Sequence, residues 1–324
     1  MSSGKASGKV LVTGAAGFIG SHLCEALLTR GQAVVGVDNF CDFYEPQAKR
    51  RNLRAMLGRA DFTLAEADIR DREAMLKLFE AERPAAVVHL AAMAGVRPSI
   101  EDPALYTRVN LDGTVNLLDA AVAQGVGRFV FASSSSVYGN NPKTPFAEED
   151  RVDHPISPYA ATKKAGELIC HAYHHLHRMP IACLRFFTVF GPRQRPDLAI
   201  AKFLRLAAQG RAIPVFGDGS TSRDYTFIED IVAGVVAALD RASGYHVYNL
   251  GGSHPVSLSE MIATIERVTG RRLEIDRRPM QAGDVERTWA DLTRSKAQLG
   301  YEPRTSLEAG IARQWAWMGE EGLR

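Results

Sequence analysis

The first half of the chain alternates between short apolar runs and longer amphipathic segments. Runs rich in Val, Ile, Leu and Ala predict buried strands at residues 9–13, 33–37, 60–65, 86–90 and 127–133. Apolar residues at helical spacing predict helices at 22–30, 73–82 and 102–124. Strands and helices in alternation form a parallel sheet with helices on both faces. We therefore predict an α/β fold with a doubly wound parallel sheet.

A glycine-rich turn joins the first strand to the first helix, in the order Gly14-Ala15-Ala16-Gly17-Phe18-Ile19-Gly20. Glycine lets the backbone approach a diphosphate, and the helix N-terminus adds free N–H groups and a partial positive charge. The second strand ends in Asp38, where an acidic side chain accepts hydrogen bonds from ribose hydroxyls and repels a 2′-phosphate. Together these features predict a Rossmann-type site for NAD rather than NADP.

Tyr159 and Lys163 lie on one face of the helix that we predict after Ser157-Pro158. A free tyrosine has a pKa of about 10, and a nearby ammonium group lowers it. Such a pair can move a proton on and off an alcohol, although the same spacing arises by chance in many helices. The serine run 133–136 comes at the end of the fifth strand. Its composition fits a simple polar loop, but its position at the edge of the sheet favours a ligand-binding role.

Composition excludes several classes of function. The net charge is +2, from 39 basic and 37 acidic residues, with no basic block, so we expect no nucleic-acid partner. The start of the chain lacks the apolar core of a signal peptide, and no run approaches the roughly 20 apolar residues of a membrane span. None of the four cysteines forms a CxxC pattern. We expect free thiols in a cytoplasmic protein that has no membrane partner.

Four histidines, at positions 171, 174, 175 and 177, have spacings that occur in zinc sites. No acidic or cysteine ligand accompanies them, so we favour a helix surface or subunit contact and predict no metal site.

Several motifs together resemble the extended short-chain dehydrogenase/reductase family, in its sugar-nucleotide branch. They are Thr13 to Gly20, Asp38-Asn39, the serine run, Tyr159 to Lys163, Arg185-Phe186-Phe187, Gly217-Asp218-Gly219, Arg223-Asp224 and Tyr248 to Gly251. Within that branch, the segments 38–44, 94–97, 186–192, 195–197 and 279–285 are similar to UDP-glucuronate 4-epimerases.

The resemblance implies a hydride relay through a 4-keto sugar. Tyr159 as phenolate takes the proton of the sugar 4-OH while NAD takes the C4 hydride, and the ketone then turns over and is reduced on its other face. Lys163 lowers the pKa of Tyr159 and holds the nicotinamide ribose. The catalytic serine of the family aligns with Ser134, and the alignment within the serine run can shift by one residue.

The resemblance also implies ligand contacts, domains and assembly. Contacts to NAD are expected from Gly14, Gly17, Phe18, Ile19, Gly20, Asp38, Asn39, Asp68, Ile69, Leu90, Ala91, Ala92, Tyr159 and Lys163. Contacts to a UDP-sugar are expected from Arg97, Ser134, Ser135, Ser136, Tyr159, Thr188, Arg195, Lys202, Phe216, Arg223, Gln281 and Asp284. An NAD domain spans 1–188, with 226–252 returning to it; a smaller α/β substrate domain spans 189–225 and 253–324. A homodimer is expected.

The fate of the ketone depends on the residues before Val137. Dehydratases carry Asp-Glu at the positions of Ser135 and Ser136, and UDP-glucuronate decarboxylases carry Glu at the second. Serine is a very weak acid and base, which favours epimerisation. Thr188 stands where UDP-hexose epimerases carry Asn, leaving space for a 6-carboxylate. UDP-glucuronate is thus favoured as substrate, with a UDP-glucose 4-epimerase, a decarboxylase and a non-catalytic NAD-binding protein as alternatives.

Overall fold

The computed structural model describes residues 8–279 and 285–324. Its strands are β1 (Val10–Thr13), β2 (Val34–Asp38), β3 (Phe62–Glu66), β4 (Ala86–His89), β5 (Arg128–Ser134), β6 (Ile181–Phe186), β7 (Thr188–Phe190), β8 (Ile213–Phe216), β9 (Ser222–Phe227), β10 (Tyr245–Leu250), β11 (Pro255–Ser257) and β12 (Ile275–Arg278). Each strand predicted in the first half of the chain is present, with ends that differ by one or two residues.

The α-helices are α1 (Phe18–Thr29), α2 (Pro46–Leu53), α3 (Arg72–Glu82), α4 (Val96–Glu101), α5 (Pro103–Thr107), α6 (Gly113–Ala123), α7 (Pro158–His177), α8 (Ala199–Ala208), α9 (Ile228–Arg241), α10 (Leu258–Thr269), α11 (Thr293–Leu299) and α12 (Leu307–Glu320). Side-chain caps fix several helix starts. Asp71 caps α3 and Ser157 caps α7, because each accepts a backbone N–H from the first turn.

The main sheet has seven parallel strands in the order β3-β2-β1-β4-β5-β6-β10. Alternate residues of a strand point to opposite faces. Val10 and Val12 pack into one hydrophobic cluster, and Leu11 packs into a second cluster on the other face. The predicted doubly wound parallel sheet is confirmed, and the carboxyl ends of β1, β4 and β5 meet at one edge.

A second, smaller lobe follows β6. Strands β11, β9 and β7 form one small sheet, and β12 and β8 form another. Helices α8, α10 and α12 pack around them. Strand β10 joins the main sheet beside β6. It lies within residues 226–252, the segment predicted to return to the NAD domain. Those boundaries stay a prediction.

The single helix predicted for 102–124 is wrong in detail. The chain forms α5, then a π-helical turn at Arg108–Asp112, then α6, and the preceding α4 was not predicted. A π turn inserts an extra residue into the helix and redirects a side chain. Apolar periodicity cannot detect it, because the cause is the set of tertiary hydrogen bonds made by Asn110, which lies inside the turn.

Candidate active site

A cavity of about 860 Å³ lies at the carboxyl edge of the main sheet. Most of the predicted site residues line it: Gly14, Gly17, Phe18, Ile19, Gly20, Asp38, Asn39, Asp68, Ile69, Leu90, Ala91, Ala92, Ser134, Ser135, Ser136, Tyr159, Lys163, Thr188 and Arg195. It is also lined by residues that sequence reasoning did not select, including 41–44, Lys49 and Met93.

Two glycines of the turn, Gly14 and Gly20, are packed too tightly for any side chain. Gly14 has φ +69°, and a Cβ added to it would lie 2.9 Å from the backbone nitrogen of Ala91. A Cβ added to Gly20 would lie 2.0 Å from the carbonyl oxygen of Gly14. The helix α1 can therefore begin directly against the turn, with its first N–H groups beside the cavity.

Asp38 ends β2 inside the cavity wall. Its carboxylate accepts backbone N–H groups from Ala16 at 3.1 Å and from Phe40 at 2.9 Å. The Lys49 ammonium lies 4.0 Å away and donates to the Cys41 carbonyl at 2.8 Å. Burial raises the pKa of Asp38, while Lys49 and the two N–H groups oppose the rise. A carboxylate accepts about four hydrogen bonds, so two ribose hydroxyls can still bind.

A second polar group lies beside Asp38. Asn39 donates to Asp68 at 3.0 Å, and Arg70 donates two hydrogen bonds to the same carboxylate at 2.7 and 3.0 Å. Chiefly because of Arg70, the pKa of Asp68 falls to about 2. The glycine cradle, the carboxylate at the end of β2 and this acidic side chain fit a dinucleotide that runs from Asp38 toward Tyr159.

Tyr159 is half-buried at the other end of the cavity. Burial raises the pKa of its phenol, and a hydrogen bond with Ser134 and the Arg195 guanidinium oppose the rise. The Arg195 guanidinium is the cation that opposes the rise, and the expected effect of Lys163 on this pKa stays a prediction. Electrostatic support from Arg195 was not apparent from the sequence, because its loop is distant from α7 along the chain.

Lys163 is 5% exposed and lies one helical turn beyond Tyr159. Its ammonium donates to the carbonyl oxygen of Ala132 at 2.7 Å and lies 6.0 Å from the centre of the Tyr159 ring. Burial lowers the pKa of Lys163 to about 8. The side chain is thus held near the end of β5, between the strand and the Tyr159 ring.

The side chains of Ser133 and Ser134 point in different directions. The hydroxyl of Ser133 points into the protein and donates to Glu167 at 2.7 Å. The hydroxyl of Ser134 lies in the cavity wall, accepts the Ser136 N–H at 3.1 Å and donates to the Ser136 hydroxyl at 3.1 Å. Because the Ser133 hydroxyl is bonded to Glu167, while Ser134 lines the cavity with Tyr159, the geometry favours Ser134 over Ser133 at the register left open by the sequence.

A buried ion pair supports the serine run from behind. Arg185 on β6 donates two hydrogen bonds to Glu167 on α7, at 2.8 and 2.9 Å. A third bond goes from Arg185 to the Tyr138 hydroxyl at 3.0 Å, which donates to Asn249 at 2.7 Å. Burial alone would raise the pKa of Glu167, but Arg185 brings it below its usual value. The pair ties α7 to the end of β5 through Ser133.

The loop after β4 is held by two side chains from the interrupted helix. Asn110 accepts the Met93 N–H at 2.8 Å, and its amide donates to the Met93 carbonyl and to the Thr162 hydroxyl, each at 3.0 Å. The Tyr106 hydroxyl donates to the Ala94 carbonyl at 3.0 Å. The π turn therefore fixes the cavity loop to the helix that carries Tyr159 and Lys163.

Several predicted substrate residues lie outside the cavity lining. The Arg97 guanidinium lies 5.3 Å from the centre of the Phe216 ring, so these two residues contact each other across the lobes. Lys202 lies on α8, and Arg223 on β9 donates to the Ser222 carbonyl at 3.0 Å. The predicted ligands Gln281 and Asp284 lie outside the described residues.

The histidine-rich end of α7 belongs to the surface of the fold. His174 hydrogen-bonds the Met179 carbonyl at 2.8 Å, and His171 packs edge-on against Tyr245 at 5.0 Å. Across residues 8–279 and 285–324, no group of three or more His, Cys, Asp or Glu side chains is arranged to hold a metal ion. Over the same residues, no helix is both long and apolar enough to cross a membrane.

Comparison with known proteins places this geometry in a family. Residues 10–251 match the family described as the NAD dependent epimerase/dehydratase family. A UDP-glucuronate 4-epimerase of Thermodesulfobacterium geofontis is 42% identical over 315 residues, covering 97% of both chains.

Two solved structures have nearly the same fold. That of Bacillus cereus UDP-glucuronic acid 4-epimerase, in complex with UDP-glucuronic acid and NAD, has a TM-score of 0.91 at 36% identity and covers 97% of this chain and 99% of that one. That of Thermotoga maritima UDP-glucose 4-epimerase, with UDP-glucose, has a TM-score of 0.90 at 32% identity, with coverage of 97% and 99%. The fold alone therefore does not choose between a hexose and a uronate.

Proposed function

The chain belongs to the NAD-dependent epimerase/dehydratase family, and on that premise we propose that it inverts C4 of UDP-glucuronate to give UDP-galacturonate. It is an NAD-dependent epimerase, and its relatives include UDP-glucuronate 4-epimerases at about 40% identity over nearly the whole chain. The substrate is identified through the reaction end of the cavity.

One observation carries the proposal. The reaction end of the cavity is lined by Tyr159, Lys163 and the hydroxyls of Ser134, Ser135, Ser136 and Thr188. Among the described residues, the carboxylates that line the cavity are Asp38, Asp42 and Asp68, and none belongs to the segments that carry Tyr159, the serine run or Thr188. Loss of water or CO₂ needs a proton donor at the sugar, and a hydroxyl is a poor one. Epimerisation needs only the ketone to form, turn and be reduced.

Each catalytic side chain has a task set by its position. Bound NAD supplies a hydride acceptor that later returns the hydride to the sugar. Tyr159 acts as a phenolate, which burial opposes and Ser134 and Arg195 favour, and it takes the proton of the 4-OH; the Ser134 hydroxyl beside it shares a hydrogen bond with the same oxygen. Lys163, fixed at Ala132, presents its ammonium toward the nicotinamide ribose. When the ketone is reduced, the Tyr159 hydroxyl returns the proton.

A 4-ketouronate is a β-keto acid and loses CO₂ readily. Three residues with neutral hydroxyl groups, Ser135, Ser136 and Thr188, line the cavity, and the proposal assigns the 6-carboxylate to them. Directed hydrogen bonds from such donors orient the carboxylate without supplying a proton. This arrangement supports the uronate over the hexose and epimerisation over decarboxylation.

Product analysis tests the assignment. Purified protein is incubated with UDP-glucuronate, and the products are identified by proton NMR; the expected product is UDP-galacturonate. UDP-xylose would identify a decarboxylase instead. Faster turnover of UDP-glucose would identify the UDP-hexose epimerase, the second candidate, which the shared fold supports. Retained NAD binding without turnover of any UDP-sugar would indicate a non-catalytic protein.

We also infer a cytoplasmic homodimer. Leu168 and Leu176 are 60% and 70% exposed on α7, the helix through which the family resemblance implies a dimer contact. Two large apolar side chains on one helix favour burial against a second copy. Light scattering of the native protein tests this, with Leu168→Glu expected to shift a dimer to monomers. Fractionation of cells that express the protein tests its location.

A further inference from the structure

Tyr44 ends the four-residue segment 41–44, which follows β2 and lines the cavity. Its phenol oxygen is buried, and no described residue forms a hydrogen bond with it. Buried hydroxyl groups in folded proteins are nearly always paired. An unpaired hydroxyl in the wall of a ligand cavity indicates that its partner is a bound molecule.

The ring of Tyr44 is held by a contact that does not involve its hydroxyl group. The Lys49 ammonium lies 5.1 Å from the ring centre, and it is fixed by its hydrogen bond to the Cys41 carbonyl at 2.8 Å. This cation–π contact positions the ring without using the oxygen. The hydroxyl therefore remains available to a ligand.

The electrostatic surroundings keep this phenol protonated. Burial raises the pKa of Tyr44, the Asp38 carboxylate raises it further, and the Arg195 guanidinium opposes the rise. A neutral phenol donates its proton to an acceptor. Tyr44 is therefore a donor in the wall of the cavity that Asp38 and Arg195 also line.

We propose that the Tyr44 hydroxyl donates a hydrogen bond to a diphosphate oxygen of a nucleotide bound in this cavity. The assignment rests on the proposed function for its ligands, since NAD and a UDP-sugar each carry a diphosphate. Two cationic side chains lie near this phenol, with Lys49 at its ring and Arg195 within electrostatic reach, and the carboxylates of Asp38 and Asp197 act on it as well. A neutral phenol donates its proton, and the two cations can bind the same diphosphate, which makes a diphosphate oxygen the acceptor that fits both.

The test is Tyr44→Phe, which keeps the ring and removes only the oxygen. Binding is measured by calorimetry with four probes: NAD, its nucleoside adenosine, and UDP and uridine on NAD-loaded protein. We expect the Kd of one diphosphate-containing probe to rise about tenfold while its nucleoside is unaffected. A rise for NAD assigns the contact to the cofactor, and a rise for UDP assigns it to the substrate.

Thermal unfolding of the nucleotide-free protein provides an independent readout. Removing an unpaired buried hydroxyl relieves a desolvation cost, so Tyr44→Phe should unfold at an equal or higher temperature. The matched control is Tyr301→Phe, because the Tyr301 hydroxyl donates to the Gly251 carbonyl at 3.0 Å and its loss should lower the Tm.

Two results would overturn the proposal: changes below twofold for both NAD and UDP, or equal weakening of a nucleotide and its nucleoside. These binding measurements do not depend on turnover. If the protein fails to epimerise UDP-glucuronate but Tyr44→Phe still weakens NAD or UDP, the proposed function fails while the Tyr44 contact stands.

Discussion

The Lys163 ammonium lies 6.0 Å from the centre of the Tyr159 ring and donates its hydrogen bond to the Ala132 carbonyl. The two side chains share a helix face, but Lys163 is held by the end of β5. Tyr159 receives its electrostatic support from Ser134 and Arg195. The proton transfer that we propose for Tyr159 would therefore depend on three separate segments of the chain.

Replacement of Tyr159 by Phe should remove the proton acceptor and leave the cavity shape unchanged. General acid–base groups contribute roughly a hundredfold to ten-thousandfold to rate, so kcat should fall at least a hundredfold. Conversion of UDP-glucuronate is followed by NMR, and UDP binding is followed by calorimetry. Tyr173→Phe, on the same helix with its hydroxyl on Asp119, is the control and should retain activity. Near-normal turnover by Tyr159→Phe would refute the assigned role.

Replacement of Thr188 by Asn should favour hexose over uronate substrates. The larger amide occupies the space where the 6-carboxylate is expected, so kcat/KM for UDP-glucose relative to UDP-glucuronate should rise roughly tenfold, the scale of a small change in pocket volume. Steady-state rates with both substrates give this ratio. Thr188→Ser keeps the hydroxyl and should leave the ratio unchanged; equal ratios for the Asn and Ser variants would show that Thr188 does not set specificity.

Breaking the Glu167–Arg185 pair should destabilise the fold. Both side chains are at most 2% exposed, and Glu167→Ala leaves a buried guanidinium without its partner. Such losses cost about 3 to 5 kcal/mol, measured by urea unfolding. Because the pKa of Glu167 is lowered in the folded chain, the stabilisation is present above the usual carboxyl pKa and is lost as pH falls. Lys77→Ala, which breaks an exposed pair with Glu73, should have little effect.

Asp224 should make stability depend on pH in the opposite direction to Glu167. Burial raises its pKa to about 6, although the N–H groups of Ala290, Gly252 and Ser253 oppose the rise. The folded chain therefore retains this proton where the unfolded chain has lost it. The free energy of unfolding should fall as pH rises from about 4 to about 6, by up to about 3 kcal/mol.

The measurement for Asp224 is urea unfolding across that range for the native protein and for Asp224→Asn, which cannot titrate. The difference between the two proteins should shrink with rising pH, since only the native chain loses stability through this group. A constant difference would contradict the raised pKa.

The sequence by itself determined the parallel sheet, the glycine turn, Asp38 and the Tyr159–Lys163 pair. These features are encoded locally: strands by apolar runs, the turn by glycines with no room for a Cβ, and the pair by helical spacing. The family resemblance followed from the same local motifs, and it led to NAD and to the reaction.

Only the tertiary structure decided how distant segments meet. It turned Ser133 toward Glu167 and left Ser134 beside Tyr159, because the buried Arg185 fixes the end of β5. It also brought Tyr44 and Lys49 into the cavity wall and placed Arg97 against Phe216. Burial, charge and hydrogen-bond partners at these positions come from elements far apart along the chain, and no local pattern records them.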